Sequence, residues 1–311
     1  KWTSDKVKFT GAYVGNDRDN CSMIGFEEIK EKIKTKISYW KARHISLKGR
    51  IKVLNIFILS KLWYCLESQD IPKIVLNDMN KMIANFVWND LHQRELAVLQ
   101  NGYKKGGLLL QDIEVKCRTF RIIWIKELLK KSKSNIERWL ADLLIGKHKG
   151  IYGLKIINHD KIYDKLIKNV FYKDAVSAWR SLNVTYVPLS INDIKRDWIY
   201  YNVLLKDDDG RIFKPPSYTP PYAPEYIYDL PVTCNPREFK GVFKNLIPKL
   251  NKSFMKIQYR PHSQYSIDID GKEVDLDKCG FKNIYHILLD TRKQHHEPWI
   301  VKWEIDLGIE I

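Results

Sequence analysis

Residues 26–66 have the sequence FEEIKEKIKTKISYWKARHISLKGRIKVLNIFILSKLWYCL, in which apolar residues recur every three or four positions. In its first part the residues with this spacing are Phe26, Ile29, Ile33, Ile37 and Trp40. The spacing predicts an amphipathic helix with one buried face. Ser46 has the side chain of a helix N-cap, so we predict a second helix from there to about Leu66.

From Lys32 onward, the charged residues of this helical hairpin are all basic. Between Lys32 and Leu66 there are nine basic residues and no Asp or Glu: Lys32, Lys34, Lys36, Lys41, Arg43, Lys48, Arg50, Lys52 and Lys61. A cationic helix face without interspersed acidic residues favours contact with a phosphate backbone. The alternative is a solvated helix face that meets no partner.

The distribution of charge along the whole chain also indicates that a polyanion would bind in this region. The 311 residues have a net charge of +16, which favours a polyanionic partner. Residues 1–150 contain 29 Lys and Arg against 16 Asp and Glu, whereas residues 151–311 contain 24 against 21. We therefore expect the polyanion contact in the first half of the chain.

Composition favours a folded protein, since 44% of the residues are hydrophobic. The five cysteines are scattered and odd in number, which is typical of reduced thiols in a cell interior: Cys21, Cys65, Cys117, Cys234 and Cys279. No apolar run has the length of a membrane span, and no signal peptide is visible. Because the sequence opens at Lys1 rather than Met, we expect a fragment.

The rest of the sequence predicts a mainly α fold with minor β structure, an α+β protein. Residues 6–15 alternate as an early strand or hairpin, and residues 16–22 form a polar loop. Further helices are predicted over 77–88, 112–133, 174–182 and 281–292. Asp270 and Gly271, between alternating segments, predict a late hairpin.

Three positions in the basic hairpin have two open interpretations each. Gly49 either lets another backbone approach closely or breaks the second helix. Arg43 and Arg50 flank the presumed turn, so both could project from one end of the hairpin and bind phosphates. The alternative for these arginines is an ion pair with Glu67 or Asp70.

Five motifs resemble, in the same order, LINE-type (non-LTR) retrotransposon reverse transcriptases. The segment Trp40-Lys-Ala-Arg43-His-Ile-Ser46-Leu47-Lys-Gly49-Arg50-Ile51 is similar to their W-x-x-R-x-L-S-L-x-G-R-I signature. The other four are Phe9–Gly15, which is similar to their palm-closing strand, Leu62–Trp88, Lys105–Asp112 and the block from Asp270 to Trp303. The resemblance is good over residues 7–130 and thin from 150 to 260.

This resemblance implies a domain order: the terminal strand of a palm (residues 1–16), a helical thumb-like domain (17–100), a helical connector (101–205), and a linker with an α+β C-terminal region (206–311). It implies a thumb that binds the backbone of RNA or an RNA/DNA duplex without sequence specificity, and an intracellular location in the cytoplasm and nucleus. Its partners would include the missing upstream palm and fingers, with no membrane. The expected contact residues are Lys34, Lys36, Lys41, Arg43, Lys48, Arg50 and Lys52. The alternative is a structural or protein-interaction remnant of a decayed retroelement.

We expect no enzymatic activity and no cofactor. The Tyr/Phe-x-Asp-Asp motif, in which carboxylates hold two metal ions in this family, is absent from the sequence. Asp207, Asp208 and Asp209 lie in a charged turn instead of a strand. Cys279, His286, His295 and His296 lack zinc-ligand spacing, and the hairpin explains the calcium-like run from Ser266 to Asp277.

Overall fold

The computed structural model describes residues 6–9, 11–15, 17–89, 96–129, 170–188, 204–213, 253, 256–257, 265–269 and 271–293. These residues form mainly α-helix with two small antiparallel sheets, which confirms the predicted fold class. The chain divides into two compact units, residues 1–121 with 285–311 and residues 122–284. Most of the predicted connector and the linker from residue 214 lie outside the described residues.

The first unit opens with a β-hairpin of β1 (Lys6–Phe9) and β2 (Ala12–Gly15), which resolves the choice between strand and hairpin. Val7 pairs with Val14, and Gly11 turns the chain with a φ of +99°, a value that favours glycine. The hairpin is held to the helices: Gln69 donates to the Tyr13 carbonyl at 2.6 Å, and Lys8 and Tyr13 both donate to Glu28.

The first helix, α1 (Arg18–Lys41), begins earlier than the sequence suggested. The prediction of a polar loop over residues 16–22 was wrong for most of that range. Asp17 caps the helix by accepting from the Asn20 N–H at 3.0 Å, and Asp19 follows in the first turn. Buried Cys21 then adds an apolar position, so the polar residues there form the capped start of a helix.

The second helical segment begins after Ser46, as predicted. The Ser46 hydroxyl accepts from the Gly49 N–H at 3.3 Å and starts α2 (Leu47–Val53). A π-helical segment (Leu54–Ile58) and α3 (Ser60–Ser68) continue it. Gly49 does not break the helix. A Cβ there would lie 3.3 Å from the Ile45 side chain, so the close neighbours are capping-turn side chains and not another backbone.

Helix α4 (Lys73–Trp88) follows Pro72 and ends at Asn89, whose φ is +56°. The chain continues through α5 (Leu96–Gln100), a 3-10 turn (Tyr103–Lys105) and α6 (Ile113–Leu129). One core joins these helices, and its members without measurable exposure include Phe26, Ile33, Leu54, Ile58, Leu62, Leu66, Val75 and Met79. Apolar residues predicted to face inward from α1 and α4 lie in this core.

Arg121 of α6 is a charged residue with 0% exposure. Its guanidinium donates to the Leu66 carbonyl at 2.8 Å and the Gln69 carbonyl at 2.9 Å, and pairs with Asp70 at 2.7 Å. It therefore caps the C-terminus of α3, where carbonyls lack helical partners. Asp70, one expected partner of the hairpin arginines, is paired with Arg121 instead.

The second unit contains α7 (Val170–Ser181) and a three-stranded sheet of β3 (Thr185–Tyr186), β4 (Tyr265–Ile269) and β5 (Lys272–Asp275). The predicted Asp-Gly hairpin joins β4 to β5, with Gly271 at a φ of +76°. Strand β3, which was not predicted, pairs antiparallel with β4. The predicted last helix is α8 (Phe281–Lys293), of which residues 285–293 belong to the first unit.

In the described part of the chain, Cys21, Cys65, Cys117 and Cys279 are buried thiols that form no disulfide. Burial raises the pKa of Cys65 and of Cys279, which keeps both thiols protonated. Cys234 lies outside the described residues. Within the described ranges, no helix combines the length and apolarity that crossing a membrane requires. The same ranges contain no group of three His, Cys, Asp or Glu side chains placed to hold a metal ion.

Candidate nucleic-acid interface

Helix α1 has an acidic first half and a basic second half. Where these halves meet, Lys30 is bound by Glu27 at 2.6 Å and Asp78 at 3.3 Å, and the Glu27 contact raises the pKa of Lys30. The last acidic residue, Glu31, lies 3.7 Å from the Lys34 ammonium, and both side chains are exposed. An exposed pair of this kind is weak, so Lys34 can exchange it for another anion.

The predicted contact residues divide into two groups. Five are exposed on the hairpin surface: Lys34, Lys41, Arg43, Lys48 and Lys52. Lys34 and Lys41 lie seven residues apart on one face of α1, and Lys48 and Lys52 lie four apart on α2. The other two, Lys36 and Arg50, are half-buried and contact backbone carbonyls.

Arg50 caps the C-terminus of α4. Its guanidinium donates to the Phe86 carbonyl at 3.3 Å and the Val87 carbonyl at 3.2 Å. Neither interpretation of the arginine pair describes this contact, since the partner is a helix end and not a carboxylate. The structure therefore gives Arg50 a structural role at α4, because a cation stabilises exposed carbonyls at a helix C-terminus.

Arg43 remains on the surface, where it lies over aromatic rings. The centre of its guanidinium is 4.5 Å from the Tyr39 ring centroid and 4.8 Å from the Trp40 centroid. Its guanidinium also donates to the Tyr39 hydroxyl. Stacking of this kind holds the planar group in one orientation and leaves the charge exposed.

Lys36 and Trp40 join α1 to the π-helical segment. The Lys36 ammonium donates to the Phe57 carbonyl at 2.9 Å, and the Trp40 and Phe57 rings stack with centroids 5.9 Å apart. On α2, the Lys48 ammonium lies 5.5 Å from the Tyr103 ring centroid. The cationic surface thus contains exposed aromatic rings as well as lysines.

Sequence reasoning missed these aromatic partners: Tyr39, Phe57 and Tyr103. Tyr39 had a signal, because Arg43 follows it by one helical turn. Phe57 had none, since it stands in the apolar run from Val53 to Leu59 and looked like a core residue. Trp63 is half-buried, and the Lys116 ammonium lies 3.9 Å from its ring centroid.

No protein-family model matches the sequence. Part of the chain is similar to a transposon-encoded protein. Over 130 residues it is 27% identical to the "Transposon TX1 uncharacterized 149 kDa protein" of Xenopus laevis. That stretch covers 41% of this chain and 10% of the 149 kDa protein, so the chain spans a small part of its relative. The similarity supports a transposon origin for the chain.

Proposed function

We propose that this chain is a thumb-like, non-catalytic part of a retrotransposon reverse transcriptase that binds the backbone of RNA or an RNA/DNA duplex without sequence specificity. The observation that carries the proposal is the acid-free surface of residues 32–66, where seven of nine basic side chains are exposed. The similarity to a transposon protein and the five motifs support the same assignment.

The geometry suits a backbone better than base edges. The exposed lysines lie on helices packed over one core, so the backbone positions from which they project are fixed although their side chains are flexible. Lysine ammonium groups are point charges that bind phosphates without distinguishing bases. Each phosphate that they neutralise releases counterions, which makes the binding steeply dependent on salt.

The contacts of the Asp207–Asp209 turn support a non-catalytic role. The Asp207 carboxylate accepts from the backbone N–H groups of Asp209 at 3.0 Å and Arg211 at 2.8 Å. The Asp208 carboxylate lies 3.3 Å from the Lys256 ammonium. These carboxylates order a turn, as short polar side chains commonly do, and the proposed function needs no chemistry from them.

The test compares two variants of the full chain with equal net charge. The first changes Lys34, Lys41, Lys48 and Lys52 to Gln, and the control changes the exposed Lys206, Lys272, Lys278 and Lys282 to Gln. Affinity for a labelled RNA/DNA duplex is measured at several salt concentrations. We expect the slope of log K against log salt to shrink by about three units in the first variant, because each phosphate contact contributes about 0.7–0.9 units.

The control should keep the wild-type slope. Equal losses in both variants would show that only net charge matters and would contradict a binding surface on the hairpin. Absence of salt-dependent binding by the wild-type chain would favour the alternative, a structural or protein-interaction remnant. Melting temperatures of both variants should match the wild type, since the substituted side chains are exposed.

A further inference from the structure

Three aromatic rings lie together on the surface where α1 ends: Tyr39, Trp40 and Phe57, here called the aromatic cluster. Trp40 stacks on Phe57 with an interplanar angle of 24°, and Tyr39 meets Trp40 edge-on with centroids 5.8 Å apart. Tyr39 is 60% exposed and Phe57 is 50% exposed, although rings of this size usually bury most of their area. The cluster therefore leaves aromatic surface open to a partner.

The π-helical segment places Phe57 on the surface. Segments of this type are rare within helices and occur frequently at functional sites. Here the Asn55 amide stabilises it, donating to the Leu109 carbonyl at 2.8 Å and accepting from the Gln111 N–H at 3.0 Å. The Lys36 ammonium of α1 donates a hydrogen bond to the Phe57 carbonyl. Phe57 is thus anchored through its backbone and through its stack on Trp40.

The surroundings of the cluster are cationic. The Arg43 guanidinium covers the rings of Tyr39 and Trp40. On α1, Lys36 precedes these two residues and Lys41 follows them. No acidic residue occurs in the sequence between positions 32 and 66, so the segment that carries the cluster contributes no carboxylate to it. The complementary partner combines negative charge with a flat π face, as a nucleotide does. Paired bases inside a duplex do not offer that face, whereas unpaired bases do.

We infer that the aromatic cluster stacks an unpaired nucleobase, with Arg43 holding the adjoining phosphate. The inference rests on the proposed function and extends it: the lysines bind the backbone, and the cluster selects a single-stranded segment beside the duplex. Phe57 provides the main stacking surface, and Tyr39 extends it. Because every base has a π face, this site adds no sequence preference.

The experiment uses the full chain and two probes, a blunt RNA/DNA duplex and the same duplex with a single-stranded overhang. The wild-type chain should bind the overhang probe about fivefold or more tightly, the lower range expected for stacking one base. Phe57→Leu should abolish that advantage and leave the blunt-probe affinity unchanged. The matched control is Phe9→Leu, because Phe9 is a 68% exposed phenylalanine on β1; it should keep the advantage.

A 2-aminopurine in the overhang provides a second readout, since stacking on an aromatic ring should change its fluorescence in the wild-type complex and not in the Phe57→Leu complex. Tyr39→Leu is the companion variant if Phe57→Leu lowers the melting temperature. Equal affinity of the wild-type chain for both probes, with steep salt dependence retained, would overturn the stacking site alone. Loss of binding to both probes in Phe57→Leu at wild-type stability would also overturn it. No salt-dependent binding by the wild-type chain would overturn the proposed function and this inference together.

Discussion

At the scale of single residues, Gly107 is the glycine in the described part of the chain that leaves the least room for a side chain. A Cβ there would lie 2.1 Å from the Asn101 carbonyl oxygen, a distance that no side chain tolerates. Gly107 starts the segment that returns along α5, where Leu108 and Leu110 both donate to the Leu99 carbonyl. This glycine belongs to the Lys105–Asp112 motif, so close backbone approach gives that motif a physical basis.

Gly107→Ala should therefore lower the free energy of unfolding by about 1–3 kcal/mol, the usual cost of forcing extra atoms into a packed site. Gly102→Ala is the control, because nothing lies within 4 Å of a Cβ at that position. Urea unfolding of both variants measures the difference. Equal stability of the two would show that the loop relaxes at little cost and would contradict this account.

Lys116 is half-buried over the Trp63 ring and donates to the Gln111 side chain at 2.8 Å. Burial lowers the pKa of Lys116 from 10.5 to about 8. Between these two values the unfolded chain holds a proton that the folded chain has released. Unfolding then takes up a proton, so the free energy of unfolding should rise with pH across this window.

Lys116→Met removes this dependence. Relative to wild type, the variant should be most favoured below pH 8, where wild type holds a buried ammonium, and should lose that advantage as pH approaches 10.5. Unfolding free energies measured across the window test the sign of the trend. Lys61→Met, at an exposed position of α3, controls for loss of a surface charge. A difference from wild type that does not change with pH would refute the prediction.

At the scale of secondary-structure elements, two helix C-termini are stabilised by arginines from other helices. Arg50 of α2 caps α4, and Arg121 of α6 caps α3. Each arginine satisfies carbonyls that a helix end leaves without intrahelical partners. These contacts fix the helices of the first unit, on which the exposed lysines depend for their positions.

The two hairpin arginines should behave differently on substitution. Arg50→Gln should lower the free energy of unfolding by about 1–3 kcal/mol, because charged hydrogen bonds to the α4 carbonyls are lost. Arg43→Gln should leave stability nearly unchanged and weaken nucleic-acid binding with a smaller salt slope. Thermal melting and binding measured on both variants separate the roles. A stable Arg50→Gln variant with reduced affinity would reassign Arg50 to the binding surface.

Arg121→Met should destabilise the chain by about 1–3 kcal/mol, because the carbonyls at the end of α3 lose their donor while Asp70, which is 27% exposed, can regain water. Arg118→Met is the matched control on the same helix, because Arg118 is 47% exposed and lies 3.8 Å from Glu114. That surface pair should contribute less than about 1 kcal/mol. Chemical unfolding of the two variants measures the loss in the free energy of unfolding. A loss in Arg121→Met as small as that in Arg118→Met would show that the α3 cap contributes little to stability.

At the scale of the whole molecule, the positive charge is concentrated before residue 151, with an excess of 13 basic residues against 3 in the remainder. The salt-slope experiment tests this asymmetry, because it removes equal charge from the hairpin and from later positions. Duplexes of unrelated sequence should bind with similar affinity, since backbone contacts carry no sequence information. A strong preference for one sequence would require base contacts that the proposed surface does not provide.

Local features were predictable from the sequence. Apolar periodicity identified the helices of the basic hairpin, Ser46 identified the start of its second helix, and Asp270 with Gly271 identified the late hairpin. Each depends on residues a few positions apart, whose backbone preferences act before any tertiary contact forms. The acid-free run from Lys32 to Leu66 is likewise a property of sequence alone.

The tertiary structure decided which of those basic residues remain available. Arg50 is committed to carbonyls 36 residues away, and Lys36 to the Phe57 carbonyl 21 residues away. The exposure of Phe57 depends on a π-helical segment fastened by Asn55 to a distant loop. Burial and hydrogen-bond satisfaction arise from contacts between remote segments, so composition and periodicity reveal the charges but not their partners.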